Sequence, residues 1–162
     1  MSIQSFDHLA AYLDRDDAGL TPDQRRRAAE RVRRIKKFGL PQVAKFAARP
    51  DLPVRAYLAH AADLAELQQD RRLALTGVSH PMAEVYGPVV DAYLTQRDGH
   101  DLALFHLLEP SNRAEANVRF RIQDPVPRVR PLHVIADLLD DPNPRSYREA
   151  ERLLGNLLGG LR

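Results

Sequence analysis

The sequence predicts an all-α protein, a compact multi-helix bundle or short stack of αα-hairpins with about seven helices. Three observations carry that prediction. Apolar residues recur at helical spacing along most of the chain, as in Phe6, Leu9, Ala10 and Leu13. Capping and stop residues bracket the periodic segments, most completely between Thr21 and Gly39. Only one stretch, Val118, Phe120 and Ile122 alternating with Arg119 and Arg121, has a period of two.

The first helix ends where Asp16, Asp17, Ala18 and Gly19 break the pattern. The second spans 21–38: Thr21 supplies an N-cap, Pro22 the first helical position, and Gln24 the third residue of a capping box. Ala28, Val32 and Ile35 give it one apolar stripe with Phe38 at the edge, and Gly39 and Pro41 stop it. A short helix follows over 42–48, and Arg49, Pro50 and Asp51 turn the chain.

Val54, Tyr57, Leu58, Ala61, Leu64 and Ala65 mark a longer helix that ends near Leu75, followed by a loop at 76–79. Met82, Val85, Tyr86, Val89, Val90 and Tyr93 predict the next helix, bent at Gly87 and Pro88. Residues 101–109 are apolar on most sides, which predicts a helix central to the core. Residues 112–130 form an irregular or extended arm, with Arg119 and Arg121 outward, and Pro125, Pro127 and Pro131 keep the chain extended. An αα-hairpin at 132–158 closes the chain around the turn at Asp140, Asp141, Pro142, Asn143 and Pro144.

At 162 residues the chain fits one helical domain over 1–162, long enough to bury a core without staples. The hydrophobic fraction of 44% argues against wholesale disorder. No cysteine is present, which excludes disulfides, thiolate metal sites and cysteine nucleophiles. The N-terminus shows no basic stretch leading into an apolar one, and no run approaches the roughly 18 apolar residues of a membrane span. These features lead to the expectation of a soluble, cytoplasmic protein without membrane contact. A stripe such as Met82 to Tyr93 fits either a core or a homodimer seam.

Leu138 to Pro144, followed by Arg148, Ala150, Leu153, Leu154 and Leu157, resembles the helix–turn–helix unit of HEAT repeats, with its Asp-Pro turn and early arginine. Fragments recur at Asp51–Arg55 and Asp124–Arg130. The resemblance implies a stacked αα-hairpin with a concave binding surface and no catalysis. Val43 to Ala47 followed by Val54 to Leu58 also has the spacing of a DNA-reading helix-turn-helix. Its turn lacks the usual glycine, and Pro50 and Pro53 crowd the junction, so two core helices fit better.

Function is signalled most strongly by the basic second helix. It carries Arg25, Arg26, Arg27, Arg31, Arg33, Arg34, Lys36 and Lys37 against only Asp23 and Glu30, while the whole chain is +2. At 100° per residue, Arg26, Arg33 and Lys37 form one exposed stripe and Arg27, Arg31 and Arg34 its neighbour. Such a face suits DNA or RNA backbone, where cations displace counterions, or an acidic protein surface. The competing expectation is a solvated face whose charge is met by Asp14, Asp16 or Asp17.

Arg119, Arg121, Arg128 and Arg130 with Phe120 form a second cationic cluster. His60 with Asp63, His80 with Glu84 and His133 with Asp137 have helical spacing, but no HxxxH, HExxH or ExxH motif exists. His106 between Leu104 and Leu107 fits a satisfied core position. The serines fit caps and loops, and no glycine-rich phosphate loop occurs. The expectation is a non-enzymatic intracellular binding module with no metal, no cofactor and no catalytic residues. The alternative is a protein–protein adaptor or assembly subunit with no nucleic-acid role.

Overall fold

The computed structural model describes residues 1–85 and 87–160. In chain order the elements are α1 (Ile3–Leu13), α2 (Pro22–Phe38), α3 (Leu40–Ala47), β1 (Val54–Leu58), α4 (Ala61–Gln68) and β2 (Ala74–Leu75). A 3-10 turn at Gly77–Ser79 leads to β3 (Val90–Leu94), α5 (Gln96–Phe105), β4 (Glu109–Pro110), β5 (Val118–Ile122), α6 (Pro131–Leu139) and α7 (Pro144–Gly159). The fold is mixed α/β, with a five-stranded sheet, so the all-α expectation is wrong. The chain divides into two compact units, one from Met1–Asp51 plus the residues from Arg130 onward, the other Leu52–Val129.

The first unit is helical. In α1 the apolar stripe is buried as its spacing predicts: Phe6, Leu9, Ala10 and Leu13 are all nearly inaccessible. α2 begins with a full capping box. Thr21 Oγ1 accepts from Gln24 N at 3.1 Å, and Gln24 Oε1 accepts from Thr21 N at 2.9 Å. It ends at Gly39, whose φ of 70° and ψ of −148° suit glycine and let α3 start one residue later. α6 and α7 pack on each other, with Asn143 capping α7 through Arg145 N.

Polar contacts join the two chain segments of this unit. Arg49 Nη2 donates to Asp137 Oδ1 at 2.9 Å, both side chains being buried, and the guanidinium lies 4.4 Å over the Phe6 ring. Arg130 N donates to His133 Nδ1, leaving Nε2–H of His133 to donate to Asp7 at 2.8 Å. A guanidinium that stacks on an aromatic face while holding a carboxylate uses the planar fork that lysine lacks.

The second unit carries the sheet, in the order β2-β3-β5-β1-β4. β3 and β5 are parallel, and the remaining pairs are antiparallel. Val90, Ala92 and Leu94 of β3 and Val118, Phe120 and Ile122 of β5 join Leu64, Leu67 and Leu102 of α4 and α5 in one apolar cluster. Each of the larger side chains contributes about 1.5–3 kcal/mol by leaving water. The alternate residues Asp91, Tyr93, Arg119 and Arg121 point to the opposite face and are also buried.

Burial on both faces explains why β3 reads as a helix. Val90–Leu94 was expected in a helix running through Met82, and it is a strand with all five residues buried. A strand covered on both sides reads as a continuous apolar run, which periodicity does not separate from a buried helix. Val54–Leu58 was expected at the start of a long helix. It is strand β1, where Val54 and Tyr57 favour extended backbone, and only Ala61–Gln68 is helical. Tyr86, part of the expected 82–93 helix, lies outside the described residues.

The arm expected over 112–130 contains a central strand, not an edge one, because β5 lies between β3 and β1. Arg119 and Arg121 are therefore inside. Asp101 to Glu109 is not a central core helix either: α5 ends at Phe105, and Leu104, Phe105 and Leu107 are exposed. The repeat stack fails with the fold. α6 and α7 form one hairpin, but Asp51–Arg55 runs into β1 and residues 124–130 are non-helical. The DNA-reading helix-turn-helix is excluded by β1 occupying its second helix.

Candidate nucleic-acid interface

The buried side of α2 is narrow. Ala28, Val32 and Ile35 face inward, and Arg26, Arg27, Arg33, Arg34, Lys36 and Lys37 are exposed, with Arg31 half-buried. The two expected cationic stripes are present on the surface, but they are not equivalent along their length.

The cations of the N-terminal turns have acidic partners. Arg26 Nη2 lies 2.5 Å from Asp23 Oδ1 and its Nη1 3.6 Å from Glu30, while Arg27 Nη2 lies 3.0 Å from Asp23 Oδ2. The hydrogen bond from Arg26, with the Arg27 charge, holds the Asp23 carboxyl below its ordinary range. Arg25 donates twice to Leu20 O and sits 4.0 Å from Asp17.

The C-terminal turns are different. Arg31, Arg33, Arg34, Lys36 and Lys37 have no ion pair among the described residues; the nearest special contact is Lys37 Nζ, 5.2 Å from the Phe38 ring. Two of the acids expected to meet this charge are taken elsewhere. Asp14 and Asp16 accept from Arg130 Nη1 and Nη2 at 2.9 and 2.8 Å. Lys36 and Lys37 gain from the carbonyl end of the helix macrodipole. Arg33 faces Lys36 and Lys37, and Arg34 faces Arg31 and Lys37, at the (i, i+3) and (i, i+4) spacings where like charges destabilise a helix.

Two cations join this face that the stripes omitted. Lys36 and Arg15 border a cleft of about 310 Å³ with Tyr12, Asp17 and Val32. Arg15 sits in the turn after α1 with a positive φ of 56°, a placement that helical periodicity does not reveal. Of the six predicted contacts, Arg31, Arg33, Arg34 and Lys37 thus stand free of acids among the described residues, and Arg26 and Arg27 do not.

The second cationic cluster does not form a binding arm. Arg121 Nε and Nη2 donate to the two oxygens of buried Asp91 at 2.8 and 3.0 Å, and Arg119 Nε is 3.6 Å from the same carboxylate. Phe120 is in the core, tilted against Tyr57 at 5.6 Å, so it offers no face to a base. Arg130 belongs to the Asp14–Asp16 contact.

The sequence-adjacent His pairs also separate. Asp63 meets His106, the residue after α5, and not His60, His133 meets Asp7, and Asp137 meets Arg49. His80 Nδ1 accepts from Met82 N, and burial depresses its pKa. Ser79 Oγ donates to Val89 O and accepts from Asp91 N, so neither member of the Ser79–His80 pair is directed at the other. No helix among the described residues is long and apolar enough to cross a membrane.

No protein-family model, curated protein or solved structure matches this chain.

Proposed function

We propose that this protein is a non-enzymatic, cytoplasmic binding module that holds nucleic-acid backbone on the C-terminal half of α2. Arg31, Arg33, Arg34, Lys36 and Lys37 are the contacts, with Arg15 at the margin. The observation that carries this reading is the concentration of five cations within seven residues, none of them met by an acid among the described residues. Mutual repulsion along the helix is relieved when phosphates replace water and small counterions around these side chains. Four of the five are exposed and on long stems, so they follow a phosphate track without a change of fold.

Backbone contact positions a duplex and carries no sequence information by itself, so binding is expected to tolerate sequence. Fluorescence anisotropy with random duplex and single-stranded DNA and RNA tests the proposal. The probe protein is compared with an Arg33→Glu/Arg34→Glu/Lys37→Glu variant whose fold is checked by circular dichroism. Binding at low salt that the variant loses supports the reading. Absence of binding to any of the four probes refutes it.

One observation favours the adaptor alternative. Leu104, Phe105 and Leu107 are 63%, 76% and 82% exposed beside one another at the end of α5, an apolar surface that suits a protein partner. Such contact would be insensitive to salt and to charge reversal in α2.

A further inference from the structure

A separate constellation lies wholly within the 52–129 unit. α4 places Asp63 and Glu66 one turn apart on the same face. The chain leaving α5 brings His106 to them from 43 residues away. His106 Nδ1 is 2.7 Å from Asp63 Oδ1 and 3.9 Å from Glu66 Oε2, and one ligand atom from each residue fits within a 4.8 Å span. The imidazole is buried to all but 4% of its side-chain surface, Asp63 is partly covered, and Glu66 is open to solvent.

We propose that Asp63, Glu66 and His106 bind one divalent first-row transition-metal ion, with zinc the best match. Zinc–nitrogen and zinc–oxygen bonds of about 2.0–2.2 Å at tetrahedral angles put neighbouring ligand atoms about 3.4 Å apart. The observed 2.7 and 3.9 Å bracket that value and the whole set spans 4.8 Å, so side-chain rotations that move the ligand atoms by about 0.5–1.5 Å form the site. One imidazole and two carboxylates suit zinc better than magnesium, which prefers oxygen alone.

The surroundings fit a cation. Glu66 and His106 line a cleft of about 340 Å³ together with Asp70, Arg72, Asp101 and Phe105. Arg72 is the sole cation in that lining, and it is committed to Asp70 through contacts of 3.0 and 2.7 Å. Asp63 and Glu66 have no arginine or lysine partner among the described residues. The open side of the cleft supplies the remaining coordination position to water or a small anion.

Metal-free, His106 donates Nδ1–H to Asp63. On binding, the ring proton moves to Nε2, which has no hydrogen-bond partner among the described residues, and Nδ1 turns its lone pair to the metal. The carboxylate that accepted the hydrogen bond becomes a ligand.

The test is calorimetric titration of untagged full-length protein with zinc, manganese and magnesium ions, beside Asp63→Asn and Glu66→Gln variants. Glu66 is exposed, so its variant leaves the fold intact and keeps all six histidines. The expected result is one zinc per chain, at least about tenfold weaker binding in each variant, and far weaker binding of magnesium. Zinc binding unchanged in either variant overturns the three-ligand set. Zinc no tighter than magnesium, or no zinc binding tighter than about 1 mM, overturns the site itself. None of these outcomes touches the α2 reading, which concerns other residues in the other unit.

Discussion

The buried ion pair in the centre of the sheet should dominate the stability of the 52–129 unit. Asp91→Asn is the sharpest perturbation. It keeps the shape of the side chain, and the backbone contacts of residue 91, from its N–H to Ser79 Oγ and from Thr76 N–H to its carbonyl, are unaffected. What changes is the charge that receives Arg121 at 2.8 and 3.0 Å and lies 3.6 Å from Arg119, with all three side chains at most 3% exposed. Breaking a buried pair by removing one partner costs about 3–5 kcal/mol, because the remaining charge is left in a poorly solvating interior. For a chain of this size each kcal/mol moves the melting temperature by about 2–4 °C, which gives a fall of about 6–20 °C. Thermal unfolding followed by circular dichroism, with urea midpoints alongside, measures it. An Arg121→Met variant completes a double-mutant cycle with an expected coupling of about 0.5–3 kcal/mol. A loss below about 1 kcal/mol for Asp91→Asn would refute the reasoning, since that is the scale of a solvated surface pair.

Two further predictions concern the backbone and pH. Gly39→Ala should cost about 1–3 kcal/mol in chemical denaturation, because φ is 70° there and nothing lies within 4 Å of an added Cβ, so backbone strain alone is at issue; unchanged stability would contradict this. His80 is depressed below its ordinary 6.5 by burial, so near pH 7.5 both folded and unfolded chains carry it neutral. As pH falls through about 6.5 the unfolded chain takes the proton first and stability drops. The melting temperature should therefore decline less between about pH 7.5 and 5.5 in His80→Gln than in the parent, and equal declines would contradict the assignment.

The helical unit was legible in the sequence because its signals are local. Thr21, Pro22, Gln24 and Gly39 fix α2 within their own turn, and Phe6 to Leu13 bury the stripe that their spacing defines. The sheet was not legible because its strands are defined by partners far along the chain. Val90–Leu94 pairs with Val118–Ile122, and only that pairing distinguishes a doubly buried strand from a buried helix. Arg119 and Arg121 misled for the same reason: alternation with Phe120 located the strand, but their counter-charge, Asp91, lies nearly 30 residues earlier on a strand that was not recognised. At the candidate interface the cations were visible but their pairing was not. Asp23 sits within reach of Arg26 and Arg27 by helical geometry alone, whereas the loss of Asp14 and Asp16 to Arg130 depends on a contact across more than 110 residues. The Asp63–His106 contact was invisible for the same reason, with His60 the apparent neighbour.

The most direct test of the α2 account is the salt dependence of duplex DNA binding, measured as the slope of log affinity against log salt. Five phosphate contacts predict a slope of about −4.5, and neutralising Arg33 and Lys37 to Gln should reduce it to about −2.7. Arg26→Gln/Arg27→Gln should leave it nearly unchanged, because those two guanidiniums are held by Asp23. A flat slope in the parent protein, or an equal loss from the Arg26/Arg27 variant, would contradict the assignment of phosphate binding to the C-terminal turns of α2.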